Sequence, residues 1–176
     1  MNEIKLVKPC IKYDKDILQF RQEIIEANDD DSFAGCYSLE QCPTAEEWLS
    51  SLERMEKPET CPDGMVTSDT YMAVRALDER IVGITELRHH IDHPVLGIWG
   101  GHIGYSVRPS ERGKGYAKDM LRLTLQKSRD RKMDKVMITC RRDNIASEKI
   151  ILANGGIFEK EVRGDGEFMK RYWITL

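Results

Sequence analysis

The 176 residues contain no apolar run long enough to cross a bilayer, and the opening stretch MNEIKLVKPC has no apolar segment of the kind a secretory signal needs. A soluble, cytoplasmic protein with no membrane partner is the expectation. A cysteine framework is missing as well. The five cysteines, Cys10, Cys36, Cys42, Cys61 and Cys140, are odd in number and show no CxxC spacing, which argues against disulfide pairing and against a zinc site. Aromatic residues make up only 7% of the chain and do not interleave with basic ones, so no stacking platform for nucleic acid is legible and no nucleic-acid partner is expected. There is no internal repeat and no low-complexity tract. At this length, with 40% hydrophobic residues, the chain fits one domain over residues 1–176 around one sizeable core.

What is present is a charge asymmetry hidden in a net charge of −3. Residues 1–69 carry 7 Lys and Arg against 16 Asp and Glu, whereas residues 108–149 carry 13 against 6. The basic stretch suits an anionic ligand and the acidic third a cationic or amine-bearing one.

Hydrophobic periodicity places the elements. Residues 4–9 alternate as a first strand, and Ile17, Phe20, Ile24 and Ile25 recur at helical spacing over 13–28, with Asp14 or Asp16 in the first turn. Thr44 with Glu47 three residues on is a capping box for a second helix that ends before Pro58. Residues 70–77 and 80–89 read as two strands around Asp78 and Glu79, and residues 90–101 as a loop. A strand over 103–107, a helix from Ala117, a strand over 135–140, a helix capped by Asp143 or Asn144 and closed at Gly155-Gly156, and a last pair of strands over 157–163 and 167–175 complete the chain. The order βααβββαβαββ predicts an α/β fold with a mixed, mostly antiparallel central sheet flanked by helices.

The most informative run is Gly101 to Ala117, GHIGYSVRPSERGKGYA, a strand that passes through a glycine-bearing basic loop into a helix. Free N–H groups at a helix start, beside Arg112 and Lys114, make a phosphate-sized anion site. A dinucleotide fingerprint fails because its third glycine falls on Lys118, and a P-loop fails because Gly115 follows Lys114 where Ser or Thr is required.

Arg112-Gly113-Lys114-Gly115-Tyr116-Ala117 resembles the R/Q-x-x-G-x-G/A signature of the GNAT N-acetyltransferases, and Asn144-Ile145-Ala146-Ser147 followed by Gly155 resembles their second motif. The resemblance implies that acetyl-CoA is the co-substrate, with no metal. It implies that Arg112, Gly113, Lys114, Gly115, Tyr116 and Ala117 hold the cofactor pyrophosphate, that the pantetheine arm follows the strand ending at Val107, and that Asn144 and Ser147 contact that arm. The implied activity is acetyl transfer to a primary amine of a small molecule, amino acid or peptide. The position where such enzymes commonly carry an acidic tyrosine is Ile151, so a non-catalytic acyl-CoA-binding protein of the same fold is the alternative.

An ammonium acceptor must lose a proton before it attacks, which calls for a base. His102, with an ordinary pKa of about 6.5, and Glu86, which would need its pKa raised by burial, are the catalytic candidates. Tyr105, Tyr116 and Tyr172 are the candidate replacements for the missing acid. His89, His90 and His93 invite a metal reading, but neighbouring strand side chains point to opposite faces and no metal is expected. Edge strands near the C-terminus make a homodimer conceivable on the sequence alone.

Overall fold

The computed structural model describes residues 3–28, 33–164 and 166–176. Within them the expected order of elements is found: β1 (Ile4–Val7), α1 (Asp14–Ala27), α2 (Ala45–Met55), β2 (Ser68–Arg75), β3 (Ile81–Arg88), β4 (Ile103–Val107), α3 (Tyr116–Asp130), β5 (Lys135–Arg141), α4 (Ile145–Ala153), β6 (Ile157–Arg163) and β7 (Phe168–Thr175). The helix ends obey local chemistry. The hydroxyl of Thr44 accepts the Glu47 N–H at 3.2 Å, and the side chain of Asn144, the cap on α4, accepts the Ser147 N–H at 3.0 Å. Asn28 closes α1 in the left-handed region, and Gly155, at φ 87°, stops α4. The segment expected to be plain loop before β4 contains one π-helical turn, Leu96–Gly100. Its carbonyls are taken by distant side chains: Arg171 donates to Gly97 and Ile98, Thr139 to Trp99, and Arg88 to Gly100.

The expected single sheet is divided. Strands β1-β2-β3-β4 form one sheet and β5-β7-β6 another, and every pairing is antiparallel. Alternation along β2 and β3 supplies two cores for the first sheet. Met72, Val74, Ile81 and Ile84 pack under α1 and α2 with Phe20 and Trp48, while Ala73 and Val82 pack on the other face against Tyr116 and Met120 of α3. The second sheet has its own core, in which Val136, Ile138, Tyr172 and Ile174 meet Leu121 and Leu125 of α3 and Ile151 of α4. Helix α3 therefore packs against both sheets and holds them together.

The sheets touch at the start of β4. The backbone N–H of His102 donates to the Met137 carbonyl at 2.8 Å, and the Met137 N–H donates to Nδ1 of the His102 ring at 2.9 Å. The His102 carbonyl is meanwhile used by the Arg88 N–H of β3. Beyond that point β4 and β5 do not pair, and a cleft opens between them.

Candidate active site

The cleft is a cavity of about 730 Å³ that runs from β4 and β5 to the start of α3. Ile103, Tyr105 and Val107, the face of β4 that alternation turns to the apolar side, line it. The Arg88 N–H bonds to the His102 carbonyl and the Arg108 N–H to the Val82 carbonyl, so the even-numbered residues of β4 pair with β3. Antiparallel alternation then turns the backbone groups of residues 103, 105 and 107 toward the cleft.

At its wide end the cavity meets the glycine loop. Gly113 and Gly115 have φ of 75° and 88°, and Gly115 caps α3 without any side-chain hydrogen bond to its N–H groups. A Cβ on Gly113 would meet nothing within 4 Å. The first turn of a 15-residue helix thus borders a cavity, and among the described residues no side-chain cap is seen on it. Arg112, Gly113, Gly115, Tyr116 and Ala117 line this end. Lys114 does not; its ammonium is 2.9 Å from Glu111 Oε2 and 3.1 Å from the Ser110 carbonyl. Glu111 is buried, which would raise its pKa, but hydrogen bonds from Lys114 and Arg75 outweigh that and hold it below the usual range. Arg75 also reaches the Tyr116 hydroxyl at 3.3 Å and chelates Asp78 at 2.6 and 2.8 Å, so the floor of the cradle is braced.

Across the cleft the Tyr105 hydroxyl lies 2.9 Å from the Ser147 hydroxyl, joining β4 to α4. Asn144 and Ser147 both line the cavity, and the Asn144 carbonyl oxygen is engaged in capping α4. Ile151 is fully buried in the core of the second sheet, away from the cavity lining. Tyr172 is buried too, its hydroxyl donating to Glu148 at 2.5 Å, and burial followed by that carboxylate pushes its pKa up. Among the three tyrosines considered, Tyr105 and Tyr116 line the cavity.

The second candidate region is a cavity of about 280 Å³ that shares Ala34, Gly35, Arg88 and Leu96 with the first. Glu86 lines it, with Oε1 accepting from Ser68 at 2.8 Å and Oε2 paired with Arg88 at 2.8 Å. Between the cavities the chain at Gly35 crosses β4 backbone to backbone: a Cβ there would collide with the Gly104 carbonyl. Ser106 fastens the crossing by donating to the Ala34 carbonyl at 2.7 Å.

His102 lines neither cavity. It is 7% exposed, its Nδ1 accepts the Met137 N–H, and burial lowers its pKa to about 4. Sequence reasoning also passed over Arg88, although its i+2 spacing from Glu86 on a strand puts both on one face. Gly35 and Trp99, which line the larger cavity from distant segments, carried no local signal. His89 pairs with Asp69 at 3.0 Å and the His93 ring accepts backbone N–H groups of Val95 and Leu96. Among the described residues no group of three His, Cys, Asp or Glu side chains could hold a metal ion, and no helix is long and apolar enough to cross a membrane.

Among the solved structures similar to this chain, three align over more than nine-tenths of their own length. RimL, a ribosomal L7/L12 alpha-N-protein acetyltransferase, superposes with a TM-score of 0.67 at 15% identity, covering 100% of this chain and 96% of its own. A ribosomal-protein-S5-alanine acetyltransferase from Vibrio fischeri gives 0.66 at 18% identity, covering 98% and 91%. The microcin C7 self-immunity acetyltransferase, solved in complex with acetyl-CoA and AMP, gives 0.66 at 16% identity, covering 100% and 94%. No curated protein sequence matches. These likenesses carry the fold, and the sequence itself matches the acetyltransferase (GNAT) domain over residues 12–157. With that match spanning most of the chain, and with the cleft, helix start and element order on which it rests, the protein belongs to the GNAT acetyltransferase family.

Proposed function

We propose that this protein is an N-acetyltransferase that moves the acetyl group of acetyl-CoA to a primary amine. The observation that carries the reading is that the two cavities adjoin and share a wall. The larger runs from the α3 cradle along β4 to Ala34, Gly35, Arg88 and Leu96, and the smaller begins at those same residues and contains Glu86.

Bound acetyl-CoA supplies an activated acetyl thioester. The amides of residues 113–117 and the guanidinium of Arg112 hold its phosphates, while the Arg112 amide is used by the Pro109 carbonyl and Lys114 serves through Glu111 in bracing the loop. The cleft-facing backbone of β4, together with Asn144 and Ser147, holds the pantetheine amides in register. A backbone N–H near Val107 donates to the acetyl oxygen as it gains negative charge. Glu86, with a carboxylate oriented by Ser68 and Arg88, takes the proton of the incoming ammonium. This reading favours Glu86 over His102 as the base, because the His102 nitrogen that would accept a proton is committed to Met137. The Tyr105 and Ser147 hydroxyls, 2.9 Å apart and both in the cavity lining, return a proton to the departing sulfur in this reading. A thiol with a pKa of about 8.5 leaves with little help, so Ile151 is no obstacle.

The test is incubation of the purified protein with acetyl-CoA and a panel of amines while free thiol is followed. Amine-dependent thiol release is expected. No release across the panel, with CoA binding intact, overturns the reading.

A further inference from the structure

Resting on that reading, we infer that the acceptor is a monoamine bearing a compact apolar group and no neighbouring carboxylate. Glu86 is the only carboxylate that lines the smaller cavity among the described residues. One ammonium ion can pair with it. A second ammonium of a polyamine would lie against Phe33, Met55, Met65 and Val66, where the described residues offer no second carboxylate to replace its lost hydration.

A carboxylate is disfavoured there as well, because the cations on the wall are already engaged. The lining cations are Arg88 and His93. Arg88 has Nη2 on Glu86 at 2.8 Å and Nη1 on the carbonyls of Gly100 and Gly101 at 3.2 and 3.0 Å. The His93 Nδ1 accepts the N–H groups of Val95 and Leu96 at 3.1 and 3.3 Å. A substrate carboxylate would share about 280 Å³ with the Glu86 carboxylate and be repelled by it. The two methionines give the wall an unbranched, adaptable surface that accepts alkyl and aryl groups alike.

The experiment compares methionine amide and phenethylamine with free methionine and spermidine at fixed acetyl-CoA. Two readouts are taken: kcat/KM from thiol release and, independent of turnover, ligand-observed NMR binding to the CoA-loaded protein. Methionine amide and phenethylamine are expected to exceed methionine and spermidine at least tenfold in both. Equal or better binding of methionine or spermidine overturns the inference, even if acetyl transfer itself stands. Selective binding of methionine amide without thiol release from any amine supports the inference and overturns the acetyl-transfer reading. Met65→Glu adds a carboxylate at the half-exposed rim and is expected to shift preference toward spermidine with CoA affinity unchanged; an unmoved preference counts against the assignment of this cavity.

Discussion

The ring of His102 accepts the backbone N–H of Met137 at 2.9 Å while the His102 backbone N–H donates to the Met137 carbonyl at 2.8 Å, so one residue makes the exchange that normally takes two strands. The ring must be unprotonated at Nδ1 to do so. Because burial lowers its pKa from about 6.5 to about 4, the unfolded chain binds more protons between those values. This contribution to stability is complete above pH 6.5 and is lost as pH falls toward 4, up to roughly 3 kcal/mol. Urea midpoints measured from pH 7 to pH 4 should show a steeper decline for the parent than for His102→Asn, whose amide oxygen can accept the same N–H; equal slopes would remove His102 from this role.

Gly115→Glu places a side chain at φ 88° and a negative charge at the start of α3. CoA affinity by calorimetry should fall about 100-fold or more, roughly 3 kcal/mol, with the circular dichroism spectrum retained.

Glu86→Gln removes the proposed base while keeping an acceptor for Ser68. The expected loss in kcat is about 10²–10⁴-fold at neutral pH, recovering as pH approaches the pKa of the amine, with the KM for acetyl-CoA unchanged. A pH-independent loss would point to positioning instead of proton transfer.

Tyr105→Phe and Ser147→Ala each break the 2.9 Å contact across the cleft. If the pair returns a proton to sulfur, the double variant loses no more than either single one, about tenfold in kcat, since the two act as a unit. Additive losses would assign them separate roles in holding the cofactor.

Ile151→Tyr restores the residue common in the family and is expected to harm the protein. Ile151 is fully buried beside Leu121, Val136 and Tyr172, so the larger ring overpacks that core at a cost of about 1–3 kcal/mol. A thermal scan should show Tm lower by about 2–12 °C, with no gain in turnover.

The sequence was most readable where structure is local. The strand, glycine loop and helix of residues 103–117 and the Asn144 cap depend on neighbours within a few positions, and they stand where periodicity and capping put them. His102 shows the limit. Its strand position and nominal pKa suit a base, but burial and the Met137 contact, 35 residues away, decide its behaviour. The division of the sheet escaped for the same reason, since strand order says nothing about which edges stay unpaired. Lys114 could have been read differently: Glu111 lies three residues before it, and the pair forms across one turn of the loop. The smaller cavity draws its walls from residues 33–35, 37, 55, 65–66, 86, 88, 93 and 96, a set that only the folded chain assembles.

The parting of β4 from β5 has one closed end, at His102 and Met137, and one open end, at the α3 loop. Five residues of β4 at about 3.3 Å each make a track of roughly 17 Å between them. A carrier anchored at the open end is therefore measured by length. On the acetyl-transfer reading, an arm too short would leave its reactive carbon short of the Gly35 crossing, and one too long would run against the pinned strands.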